Sequence, residues 1–117
     1  MVEKIFSLHR AFQEERLHEK ERHLYDIYFL LKRPEISSRL GSKEHRSIKE
    51  NIALHDLKFN NKHLPENLDF SKSLIFSKNH AQSRITRKTY EESLIYFGKR
   101  PGFDEMMEFI NYFSKKF

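Results

Sequence analysis

Apolar residues recur along the chain at intervals of three and four, with charged residues between them, which is the period of an amphipathic helix. From Val2 to Glu15, the residues Ile5, Leu8 and Phe12 fall on one stripe, and glutamate and arginine fill the remaining positions. Leu24, Ile27, Tyr28 and Leu31 mark a second helix running to about Arg33, where Pro34 disfavours helical geometry and sets a break. Residues 36–41 allow only a turn or a single helical turn, and Gly41 can take a left-handed conformation there. Ser42 is placed to accept a bond from the free amides of the next turn, although His45 stands where a capping box wants Glu or Gln. The helix it opens extends to about Phe59, with Ile48, Ile52, His55 and Phe59 on one face.

Residues 60–67 (NNKHLPEN) read as the main loop, and residues 68–78 fit either a short helix or an extended packing segment. A further helix spans about Gln82 to Phe97, anchored by Ile85, Tyr90, Leu94 and Phe97, with Gly98 as its stop and Pro101 preventing continuation. Phe103 to Phe117 forms the last helix, with Phe103, Met106, Met107, Ile110 and Phe113 as its apolar set and Lys115 and Lys116 suited to its C-terminal dipole. The expected fold is all-α: a helical bundle of four main helices plus one short helix of ambiguous pattern, in a single domain over residues 1–117.

Composition supports this reading and narrows the chemistry. Three glycines and three prolines are too few for a turn-rich β protein, and 117 residues suffice for one core. Eleven Phe and five Tyr supply apolar area in large pieces. The absence of cysteine excludes disulfides, thiolate-bound zinc, iron–sulfur sites and thiol catalysis. Lys and Arg outnumber Asp and Glu by 22 to 17, and the net charge of +5 favours phosphate-bearing partners. No apolar run approaches the roughly 20 residues that span a bilayer, and MVEKIFSLHR lacks the features of a secretory signal. The expected location is cytoplasmic, with no membrane partner.

None of the seven histidines forms the His-x-x-x-His pair that puts two imidazoles on one helical face, so no protein-only metal site is expected. Arg22 and Asp26 are four apart and share a helix face, which allows an ordinary surface ion pair of about 0.3–0.5 kcal/mol. If the first two helices form an antiparallel hairpin turning near Leu17, Lys4 comes to lie roughly 6 Å along the partner helix from Asp26. Lys4, Arg22 and Asp26 could then share a patch able to hold a triphosphate, the cations neutralising its charge and the carboxylate orienting them; separate solvated charges are the plainer alternative. Tyr25 and Tyr28 read as packing residues. The LGSK at residues 40–43 lacks the other glycines of a phosphate loop, and no Asp-x-Asp pair for two catalytic metals occurs. Phe6, Tyr25 and Phe29 lie beside core-facing positions, so the hairpin is expected to keep an apolar surface, most simply covered in a two-fold homodimer.

Two stretches carry a family resemblance. EKIFSLHRAFQEERLHEKERHLYDIYFLL resembles the AbiEii/AbiGii-type nucleotidyltransferase toxins of bacterial abortive-infection and toxin–antitoxin systems, which carry a similar lysine segment followed by a "RHLYDLY"-like motif. TYEESLIYFGKRPGFDEMMEFI is similar to that family's C-terminal pattern, and the two occur in the family's order. The resemblance implies that Lys4 and Asp26 stand where the family has its later active-site lysine and aspartate. Lys4 would contact the triphosphate, Arg22 would support the anionic site, and Asp26 would orient these bases or act as a catalytic carboxylate. His9 and His23 match pattern positions as packing or hydrogen-bonding groups. The family's Gly-Ser motif and metal-binding aspartates are absent from this sequence, so it resembles the C-terminal helical half of such an enzyme, as a truncated product or one half of a split gene. Such a chain is expected to be inactive alone. Mg²⁺ and a nucleoside triphosphate are implied for the intact enzyme, with an antitoxin or a separate catalytic half as partner. The alternative is a non-enzymatic basic helical module that binds RNA, DNA or protein.

Overall fold

In the structure, a computed structural model, residues 1–59, 69, 70, 73–93 and 100–117 are described, the side chains of 56–59 excepted. Every regular element among them is helical. They are α1 (Val2–Gln13), α2 (Glu21–Leu31), α3 (Pro34–Ser37), α4 (Lys43–Phe59), α5 (Ala81–Glu92) and α6 (Phe103–Phe113), with 3-10 turns at Leu17–Lys20, Leu74–Phe76 and Ser114–Lys116. The all-α expectation holds, but five helices rather than four are long, since α1, α2, α4, α5 and α6 each have eleven or more residues. A further short helix, α3, stands close to where the sequence allowed a turn or a single helical turn, and Arg33 is extended (ψ 117°) before Pro34.

The period of the apolar positions explains the packing. Ile5 and Leu8 of α1, Leu24, Ile27 and Leu31 of α2, and Met106, Met107 and Ile110 of α6 meet in one buried cluster. Helix α2 touches α1, α3, α5 and α6 and so forms the middle of the bundle. Full burial of such side chains stabilises the fold by about 1.5–3 kcal/mol each, an upper bound because unfolded chains already bury part of that area.

The turn after α1 comes from a motif that the residue types do not advertise. Glu15 adopts φ 59°, the amide of Arg16 donates to the carbonyl of Ala11 (2.7 Å), and that of Glu15 donates to Phe12 (3.1 Å). These are the two bonds of a Schellman motif, with glutamate in the left-handed position where glycine is usual. Gly41 is also left-handed (φ 81°), and Ser42 Oγ accepts from the amide of His45 (3.1 Å), so the expected turn and N-cap are both present. His45 does not complete a capping box: it is buried, with Nε2 2.9 Å from the carbonyl oxygen of Phe117.

Three expectations need correction. Helix α4 buries His45 and Ala53, while Ile48 and His55 are exposed and Ile52 is only partly buried, because its inward face is rotated from the predicted stripe. Helix α5 ends at Glu92, short of Phe97, with Ser93 extended (ψ 134°); Leu94, Phe97 and Gly98 lie outside the described residues, as does the loop at 60–67. Ile85 is exposed, whereas Tyr90 is buried as expected, and Ser83 and Thr86 are buried with it. That polar face is tolerated because Ser83 Oγ donates to the carbonyl of Ser77 and Thr86 Oγ donates to that of Gln82 (2.7 Å). Among the described residues of the ambiguous stretch at 68–78, Leu74–Phe76 form a 3-10 turn capped by Ser73, and Phe70, Ile75 and Phe76 are buried.

Candidate functional site

Helices α1 and α2 pack against each other, and Lys4 of α1 meets Asp26 of α2, 22 residues later in the chain. Lys4 Nζ donates to Asp26 Oδ2 at 3.1 Å, and the two side chains are 33% and 32% exposed. A lysine ammonium has three donors, and this is its one hydrogen bond among the described residues. The ion pair therefore fixes the ammonium without exhausting it. Arg22 is not drawn in: it is exposed, and among the described residues no ion pair joins it to Asp26.

His23 borders the pair. Burial pushes its imidazole below the usual value, Lys4 and Lys20 push the same way, and Asp26 opposes them. Its buried Nδ1 has no hydrogen-bond partner among the described residues. His9, the other matched histidine, is buried edge-on against Phe70, with ring centroids 5.7 Å apart. Lys20 thus joins Lys4 in acting electrostatically on His23; its spacing of three from His23 is the signal in the sequence. A small polar cavity of about 140 Å³ lies along the turn side, lined by Ser7, Arg10, Glu14, Arg16, Glu19 and Lys20. Arg16 is committed there to Glu14 and Glu19.

Gln82 of α5 holds the turn in place. Its Nε2 donates to the carbonyl of Phe12 (2.8 Å), and its Oε1 accepts from the amide of Leu17 (3.4 Å). One side chain so satisfies the end of α1 and the start of the next turn. No local pattern in the sequence marks that role.

Among the described residues, no three His, Asp or Glu side chains are grouped to hold a metal. Asp26 is a single carboxylate already paired with an ammonium, so these residues do not fit Mg²⁺.

The aromatic residues divide. Phe6 is not on the surface: it is buried edge-on against Phe70, with centroids 5.2 Å apart. Tyr28 is buried as expected, with its hydroxyl 3.4 Å from Glu105 Oε1. Phe29 is 41% exposed and Tyr112 80% exposed. Between them runs a series of ring contacts, Phe29–Tyr28–Phe109–Phe113–Tyr112, with Lys32 Nζ 4.6 Å over the Tyr28 ring. Among the described residues no helix is long and apolar enough to cross a membrane. No family model, curated protein or solved structure matches the chain.

Proposed function

We propose that this chain forms the helical wall of a nucleotide site in a nucleotidyltransferase of the AbiEii/AbiGii type, and that it works with a metal-carrying half on a separate segment or chain. Lys4 neutralises triphosphate oxygens, Arg22 adds charge at the rim, and Asp26 orients Lys4 or serves as a catalytic carboxylate. The acceptor is RNA or protein. The observation that supports this reading is the 3.1 Å contact between Lys4 and Asp26, the two positions singled out by the resemblance, on different helices. Charge-assisted pairing with a carboxylate preorganises the ammonium, and its uncommitted donors point to an anionic ligand.

Two measurements test it. In a phosphorus NMR titration of a nucleoside triphosphate, the chain broadens the phosphate resonances, and Lys4→Ala weakens that effect several-fold. Equal binding by Lys4→Ala would remove the site. The chain incubated with labelled nucleoside triphosphates, Mg²⁺ and bulk RNA transfers no label, because two-metal transfer needs grouped carboxylates. Robust transfer that vanishes in Asp26→Ala would show that no other half is needed.

A second reading, a nucleic-acid-binding module, is favoured by the exposed rings of Phe29 and Tyr112, at the two ends of a ring series whose Tyr28 and Phe109 carry Lys32, in a chain of net charge +5. It requires steeply salt-dependent RNA binding that Tyr112→Ala weakens and Lys4→Ala does not.

A further inference from the structure

The apolar positions of α4 that the core leaves partly uncovered have a use of their own. Ile48 is 49% exposed and Ile52 partly buried, and with Leu40 they form the floor of a groove of about 470 Å³ between the start of α1, α3 and α4. Glu3, Glu35 and Glu44 stand around it, all exposed and, among the described residues, in no ion pair. Arg39 and Met1, with its α-amino group, also line the groove, so the rim carries three carboxylates against two cationic groups. The negative rim contrasts with the chain's net charge of +5.

We infer that this groove docks the apolar face of a basic amphipathic helix from a partner protein. A helix in a groove presents anchors at i, i+3 or i+4, and i+7, and a cleft of this volume holds a few aliphatic side chains. Lysines or arginines flanking the anchors meet the three glutamates, which supplies both steering and orientation. The same rim disfavours the other occupants. A second copy docking groove to groove would set Glu3, Glu35 and Glu44 against their own images, and nucleic acid would bring phosphate to carboxylate. The groove has no part in the nucleotide reading, and the inference stands or falls apart from it.

The test uses the whole chain and two fluorescein-labelled peptides of about 14 residues with leucines at helical anchor spacing, one with lysine and one with glutamate at the remaining positions. Fluorescence anisotropy should show the lysine peptide binding at least about tenfold more tightly than the glutamate peptide. Ile48→Asp, at a half-exposed site that leaves the fold intact by circular dichroism, should weaken binding by about tenfold, the loss of one apolar anchor. Glu35→Lys and Glu44→Lys should each weaken the lysine peptide and strengthen the glutamate peptide, and Tyr112→Ala should change neither. Equal binding of the two peptides, indifference to Ile48→Asp, or a Tyr112→Ala effect as large as that of Ile48→Asp would overturn the inference. So would sedimentation equilibrium showing a dimer that Ile48→Asp dissociates, since the occupant would then be a second copy.

Discussion

Arg100 and Lys4 are both cations set against a neighbouring helix, but they are used differently. Arg100 Nη1 donates to the carbonyls of Tyr90 (3.0 Å) and Ser93 (3.1 Å), Nη2 donates to that of Glu91 (2.8 Å), and the guanidinium lies 5.1 Å over the Tyr90 ring. These bonds satisfy carbonyls at the end of α5, where no further helical amides follow. Tyr90 in turn donates its hydroxyl to the carbonyl of Pro101 (2.6 Å). Lys4 gives one bond to one carboxylate and stays one-third exposed. A cation that gives three bonds to main-chain carbonyls holds a fold, whereas one with donors left over and a carboxylate to steady it is suited to a ligand.

Mutations should separate the two roles. Arg100→Ala has the largest expected effect, about 2–3 kcal/mol from three bonds of roughly 1 kcal/mol each, read as a lower urea midpoint. Its triphosphate binding in the absence of denaturant should match the parent chain. An unchanged urea midpoint would break the contrast.

Tyr90→Phe follows, at about 1–2 kcal/mol, because the half-buried Pro101 carbonyl loses its donor. Burial pushes the Tyr90 phenol up to about 12 from an ordinary 10, with Arg100 opposing. Since the folded value is the higher, this contribution is complete below pH 10 and is lost as pH rises through about 12. The stability difference between parent and Tyr90→Phe should therefore shrink across that window, and a constant difference would refute the assignment.

Lys4→Ala should cost less than about 1 kcal/mol, the range of a partly exposed ion pair, while reducing triphosphate binding several-fold. A large loss of stability would place Lys4 with Arg100 as a structural cation. The smallest expected effect is a gain: Glu15→Gly relieves a left-handed backbone at an exposed site, offset by glycine's greater freedom when unfolded, and should raise stability by about 0.5–1 kcal/mol.

The hairpin was legible in the sequence because its signals are local. The stripes Ile5–Leu8 and Leu24–Ile27–Leu31 fix which faces meet, and the hairpin geometry then brings Lys4 to Asp26. The expected Arg22–Asp26 pair failed because that carboxylate meets a lysine from another helix, which spacing along one helix cannot reveal. In α4 and α5 the pattern misled for a related reason. Ile48 and Ile85 look like core residues, but burial there went to His45, Ser83 and Thr86, whose polar groups find partners close by. Periodicity counts apolar side chains and is silent about polar ones that can be satisfied. The turn at Glu15 was equally invisible, since no glycine announces it.

The two bonds from Gln82 also bear on when the patch takes shape during folding. They join positions 70 and 65 residues apart. Closing loops of that length carries an entropic cost that helices formed from neighbouring residues do not incur, so such contacts come after local ones. The paired helices can assemble early, from the first 31 residues alone. Their turn acquires its clamp only when α5, far downstream, docks against it. A nascent chain would thus carry both halves of the Lys4–Asp26 pair well before it carries the residue that clamps the turn between their helices.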